Sequence, residues 1–133
     1  MTTRLSDKAK DLLARPVIAS LATIDPKGTP QITPLWIDVD GDNLVINTAR
    51  GRVKANNIES NPHVAISVID PENPYNVVAV RGTVVDITTD GADQHIDFLA
   101  HKYLGVDEYP MRQPGEERIK VTIRPDRISM QSD

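Results

Sequence analysis

A chain of 133 residues with formal net charge −4, 39% hydrophobic and 26% charged, reads as one domain over residues 1–133 that can bury its own core. It has no cysteine, which excludes disulfides, thiolate metal sites and cysteine nucleophiles. The mild acidity without a basic stripe argues against a nucleic-acid partner and no apolar run approaches membrane-spanning length; the polar start Met1-Thr2-Thr3-Arg4 is unlike a secretory signal, so a cytoplasmic location is expected.

In chain order, Ser6 is placed to cap a short helix with Leu5, Ala9, Leu12 and Leu13 on its apolar face and Pro16 as its stop. Val17 to Ile24 reads as a largely buried strand, and Asp25-Pro26-Lys27-Gly28 as a reversing turn. Pro30 to Val39 alternates like a half-buried strand. Its prolines at 30 and 34 cannot donate to a ladder, which predicts an edge or the border of a ligand groove. Asp40-Gly41-Asp42-Asn43 turns the chain into a strand from Leu44 to Thr48. Val53 to Ser60 reads as a short helix, His63 to Ile69 as a strand, and Asp70 to Pro74 as a loop. Val77 to Ile87 is a long strand in which Gly82 signals a bulge or a close backbone approach. Asp90 to Leu104 carries Ile96, Leu99, Ala100 and Tyr103 at helical spacing, with Gly105 as the stop. A loop over 105–116 precedes two last strands, Arg118 to Arg124 and, beyond Pro125, Arg127 to Gln131. Six to seven mainly antiparallel strands with about three short helices predict a mostly β, barrel-like fold.

The segment between the fourth of these elements and its helix is chemically distinctive. Thr48-Ala49-Arg50-Gly51-Arg52-Val53-Lys54 places three cations within five residues of an acidic protein. A strand, a basic turn with one glycine and a helix start suit a phosphate, because the first helical N–H groups are unpaired and the dipole favours an anion there. Arginine adds forked hydrogen bonds and lysine a mobile point charge. The alternative is a solvated loop with a charged rim.

Other chemistry is missing from the sequence. There is no G-x-G-x-x-G fingerprint, no P-loop and no G-x-S-x-G context around Ser20 or Ser67. His95 and His101 lie six apart, which is not the spacing of a helical ligand pair, so no metal site is expected. An enzyme without an evident nucleophile or acid–base pair leaves its reaction to a bound cofactor.

Five segments taken in order carry a family resemblance. They are Ala19-Ser20-Leu21-Ala22-Thr23-Ile24, Gly28-Thr29-Pro30-Gln31-Ile32-Thr33-Pro34-Leu35-Trp36, Thr48 through Ile58, Asn61-Pro62-His63-Val64-Ala65, and Val80-Arg81-Gly82-Thr83-Val84. Together they resemble the pyridoxamine 5'-phosphate oxidase-like split β-barrel superfamily, and within it the branch that depends on the deazaflavin coenzyme F420. The resemblance implies a homodimer with two cofactors in grooves at the subunit interface. It places Arg50, Arg52 and Lys54 at the cofactor phosphate, with Thr48, Ala49 and Val53 beside them and Asn57 steadying the loop or touching the tail. Ile32, Thr33, Pro34, Leu35 and Trp36 match the strand against the ring. Tyr75, Asn76 and Val77 match a segment that closes over the ring from the other subunit, and Arg118 matches a basic position that reaches the acidic tail. Bland readings stand beside these: Trp36 as core or interface, Tyr75 as cover for the barrel end, Arg118 as a surface partner of Glu116 or Glu117.

The implied activity is hydride transfer from reduced F420 to an electron-poor double bond of a small planar substrate. FMN is the alternative cofactor, and a carrier without dedicated catalysis is the alternative role. No catalytic residue is assigned; Tyr75 is the candidate proton donor.

Overall fold

The structure is a computed structural model and describes residues 3–131. The elements run α1 (Asp7–Ala14), β1 (Ile18–Ile24), β2 (Pro30–Trp36), β3 (Asp38–Asp40), β4 (Asn43–Ala49), α2 (Val53–Ser60), β5 (His63–Asp70), β6 (Asn73–Thr88), α3 (Ala92–Leu104) and β7 (Arg118–Gln131). All seven strands join one sheet in the order β2-β1-β5-β6-β7-β4-β3, and every neighbouring pair is antiparallel. The sheet curls into the split half-barrel expected from the sequence.

The two edge strands, β2 and β3, are consecutive in the chain, with Ile37 alone between them. One segment therefore pairs with β1 along its first part and with β4 along its last, bringing the two edges of the sheet together at a split. Residues 30–39 read as a single strand in the sequence, and the break at Ile37 corrects that. Its physical reason lies in α3. The Ile37 N–H donates to the Tyr103 hydroxyl at 3.0 Å, and the Ile37 carbonyl accepts from Lys102 Nζ at 2.7 Å. Side chains of α3 thus satisfy backbone groups that leave the ladder, as a fully buried residue requires. Prolines 30 and 34 lie on edge strand β2, as their missing donors predict.

Two further boundaries differ from the sequence reading. The loop expected over residues 70–74 is a hairpin turn at Pro71-Glu72, and β6 begins at Asn73, so Tyr75, Asn76 and Val77 lie in a strand. The Asp70 carboxylate closes this turn by accepting from the Glu72 N–H at 2.9 Å and from Asn76 Nδ2 at 3.0 Å. The two strands expected after residue 117 are one strand, β7, which runs through Pro125. Pro125 is tolerated because Gly82 faces it at a bulge, where Arg81 pairs with Arg127 and Asp126 is skipped. Gly82 is also a close approach. A Cβ there would stand 2.6 Å from Ile123 Cγ2 and 2.9 Å from the Arg124 carbonyl oxygen.

The core fills the barrel from every side. Leu12 and Leu13 of α1, Leu21 of β1, Ile46 of β4, Ile58 of α2 and Ile119, Val121 and Ile123 of β7 form one buried cluster. Strand β4 is buried on both faces, since the barrel interior lies on one side and α3 packs on the other. This double burial makes its last polar residues, Asn47 and Thr48, the place where a site can form.

Candidate functional site

Strand β4 delivers Thr48 and Ala49 to the turn Arg50-Gly51, where Gly51 adopts a left-handed φ of 90° that favours glycine. Arg52 is the N-cap residue of α2 and makes no side-chain cap bond, and no acidic residue stands in the first helical turn. The turn thus brings unpaired helical N–H groups and cations to one point.

A cavity of about 290 Å³ opens beside it. Its charged wall is Arg52, Lys54 and Arg118, its strand walls are Pro34-Leu35-Trp36 of β2 and Asn47-Thr48 of β4, and Ile96, Leu99, Tyr109 and Met111 complete it. Seven of the residues expected at the cofactor therefore meet here: Pro34, Leu35, Trp36, Thr48, Arg52, Lys54 and Arg118.

Arg118 is buried, at 6% exposure. Its Nε donates to Asn47 Oδ1 at 2.8 Å, its Nη1 pairs with Glu116, and its guanidinium lies over the Tyr109 ring at 5.2 Å from the centroid. Burial alone would raise the Glu116 carboxyl, yet the hydrogen bonds from Arg118 and the Gln113 N–H, with the charges of Arg118 and Arg52, hold it below the usual range. Lys54 is half-buried, and burial together with the charges of Arg52 and Arg118 pushes its ammonium below the ordinary lysine value. Arg118 and Arg52 both act on the Glu116 carboxylate, and among the described residues neither Arg52 nor Lys54 has an ion-pair partner.

Thr48 Oγ1 is buried in the same wall and has no hydrogen-bond partner among the described residues. A buried hydroxyl that is left unpaired costs free energy, on the order of 1–3 kcal/mol. A buried, unpaired hydroxyl in the wall of a cavity that also holds the unpaired cations Arg52 and Lys54 fits an anion with several acceptor oxygens, such as a phosphate. The apolar wall fits a planar partner. Trp36 stacks on Tyr103 with centroids 5.0 Å apart and meets Tyr109 edge-on at 6.0 Å.

The remaining expected residues lie elsewhere in the chain. Arg50 is bound away from the cavity by Glu59 at 2.9 Å and by Glu117. Ala49 is buried and Val53 is 58% exposed on the first turn of α2. Asn57 is buried and donates to Thr23 Oγ1 at 3.0 Å, which anchors α2 to β1. Ile32 points outward at 68% exposure, whereas Thr33 turns inward with its Oγ1 buried and unpartnered. Tyr75 is exposed, Asn76 is bound to Asp70 and Val77 is half-buried on β6. Strand β6 is three strands from β2, so this trio sits about 14 Å along the sheet from Trp36.

Sequence reasoning missed Asn47, Ile96, Leu99, Tyr109 and Met111. Asn47 had a signal: it is the polar residue that ends the apolar run Leu44-Val45-Ile46. Ile96 and Leu99 read only as a core face. Tyr109 and Met111 had no signal, because their loop is placed by long-range bonds. The Tyr109 N–H donates to Asp97 at 2.8 Å, and Arg112 pairs with Asp93 and Asp97 of α3 at 3.0 and 2.7 Å.

The outer face of the sheet is a second feature. Pairing register aligns Pro34, Ser20, Ser67, Ala79 and Ser129 in one row across β2, β1, β5, β6 and β7, and Ile32, Ala22, Ala65, Arg81 and Arg127 in the next. Small side chains thus floor a shallow surface bordered by exposed Ile18, Ile32 and Ile69 and by exposed Arg81 and Arg127.

Comparison with known proteins agrees with this geometry. The sequence pattern of the family described as pyridoxamine 5'-phosphate oxidase matches residues 5–129. A solved F420 reductase is 38% identical over 90% of this chain and 94% of its own, with a TM-score of 0.80. HupZ of Group A Streptococcus is 27% identical over 96% of this chain and 94% of its own, at 0.70. General Stress Protein 26 of Bacillus anthracis, at 20% identity and 0.68, shares the fold over 94% of this chain and 92% of its own. No curated protein matches the chain. With a barrel split at Ile37, a basic turn opening α2 and a family pattern that spans nearly every residue, the chain belongs to the pyridoxamine 5'-phosphate oxidase-like split β-barrel family.

Proposed function

We propose that the protein is a cytoplasmic homodimeric oxidoreductase that binds coenzyme F420 through the cavity beside α2. The observation that carries this reading is the convergence of Arg52, Lys54 and Arg118 with the unpartnered Thr48 hydroxyl, next to the apolar wall of Pro34, Leu35 and Trp36. Arg52 and Lys54 would hold the phosphate, Thr48 would donate to it, and Arg118 would face the acidic tail. The 38% identity to an F420 reductase supports the choice of deazaflavin over FMN.

When bound, reduced deazaflavin supplies a hydride to an electron-poor double bond of a small planar substrate. The chain's own part is to bind, orient and exclude water. Strand β2 presents Pro34, Leu35 and Trp36 as a rigid edge for a flat group. The outer face, small in the middle with isoleucines and two arginines at its rim, receives a second copy. Tyr75, Asn76 and Val77 then act on the partner's cavity, since they lie too far along the sheet to reach their own.

Titrating the purified protein with F420 and with FMN under fluorescence detection tests the cofactor. The expected result is tighter binding of F420; tighter binding of FMN would reassign the cofactor within the family. Consumption of reduced F420 with a panel of planar enones and quinones then tests the hydride step.

A further inference from the structure

We propose that Asp38, His95 and Asn47 form a positioning chain that fixes Arg118 against the anion cavity, with His95 held as the neutral tautomer protonated on Nε2. This rests on reading the cavity as an anion site. The geometry is a linear series of hydrogen bonds from β3 through α3 and β4 to β7. His95 Nε2 stands 3.0 Å from Asp38 Oδ2, His95 Nδ1 stands 3.2 Å from Asn47 Nδ2, and Asn47 Oδ1 stands 2.8 Å from Arg118 Nε.

Donor and acceptor chemistry sets the direction of every bond. Arg118 Nε only donates, so the Asn47 atom facing it is the oxygen. The Ala92 carbonyl only accepts, and at 2.8 Å from Asn47 Nδ2 it requires the amide nitrogen on that side. The second hydrogen of that nitrogen points at His95 Nδ1, which must then accept, leaving the ring proton on Nε2 for Asp38. Turning the amide over would set oxygen against oxygen at Ala92 and hydrogen against hydrogen at Arg118. Asn47 is 8% exposed and the His95 side chain 9%, so water does not offer easy replacement partners. Arg118, which lines the cavity, is thereby held at Nε by Asn47, at Nη1 by Glu116 and on one face by Tyr109.

Two substitutions of His95 separate positioning from packing. Asparagine mimics the Nδ1 side of the ring and keeps an acceptor for Asn47, while glutamine mimics the Nε2 side and keeps only the link to Asp38. Binding is read with two probes, F420 and inorganic phosphate, with melting temperatures as the control. His95→Gln and Asn47→Leu should weaken both probes about threefold to tenfold, whereas His95→Asn should stay near the wild-type affinity even where it melts earlier. Nitrogen-15 NMR of the wild type should show His95 carrying its proton on Nε2 alone. Equal affinity in the two His95 variants, a proton on Nδ1, or no binding of either probe by the wild type would overturn the proposal. Phosphate binding without F420 binding would instead retire the cofactor reading and leave the variant order to be judged on phosphate.

Discussion

Thr48 separates stability from binding more cleanly than the cations around it. Its hydroxyl is buried and without a partner among the described residues, so Thr48→Val removes none of their hydrogen bonds. The expected outcome is an unchanged or higher melting temperature with an F420 affinity lowered about threefold to tenfold; unchanged affinity would remove Thr48 from the site. Asp70 gives a different kind of residue, one whose bonds hold a turn. The Arg15 guanidinium at 2.7 Å, with the Glu72 N–H and Asn76, holds its carboxyl down from 3.8 to about 2. Because the folded value is the lower one, the stabilisation is complete above about pH 4 and is lost as pH falls towards 2. Thermal melts of wild type and Asp70→Asn should therefore differ most above that window and converge within it; a gap that persists at pH 2 would contradict the assignment. At this scale the sequence was legible where chemistry is local. Arg52 and Lys54 stand in one turn, and their meeting at one cavity wall was legible from spacing. Asn47, His95 and Asp38 are brought together from 38, 47 and 95 by the fold, and no spacing announces them.

Helix α3 and the interrupted strand β2–β3 depend on each other. The Tyr103 hydroxyl accepts from the Ile37 N–H and donates to the Val17 carbonyl, and Lys102 Nζ reaches the Leu13 and Ile37 carbonyls at 2.7 Å each. Burial pushes Lys102 below the ordinary lysine value and Tyr103 above the ordinary tyrosine value. Tyr103→Phe keeps the stacking on Trp36 but leaves both backbone groups without their side-chain partner. It should cost about 1–3 kcal/mol of unfolding free energy in urea titrations, and a cost near zero would show that the split is held by packing instead. The α1 cap, the Asp25 turn, the α2 span and the Gly105 stop were readable, because each rests on residues adjacent in the chain. The break at Ile37 was hidden, since Leu35, Ile37 and Val39 alternate as an unbroken strand would. The same holds for β7, where Pro125 reads as a stop until Gly82 supplies the bulge that admits it.

At the scale of the whole molecule, the cavity and the outer sheet face are joined by β2. Pro34 and Trp36 belong to the cavity wall, while Pro34 also lies in the outer row with Ser20, Ser67 and Ala79. A second copy seated on that face would therefore adjoin the cavity. Ala79 is exposed in this subunit, so Ala79→Glu should leave the fold intact by circular dichroism. It should shift the proposed dimer to monomer in light scattering and weaken F420 binding together; a dimer that survives would move the interface elsewhere. The most direct measurement concerns the cations themselves. Calorimetric titration of F420 into wild type, Arg52→Ala and Lys54→Ala should show affinity falling roughly tenfold to a hundredfold in each variant, with melting temperatures retained. Unchanged affinity in both folded variants would contradict the placement of the cofactor phosphate beside α2.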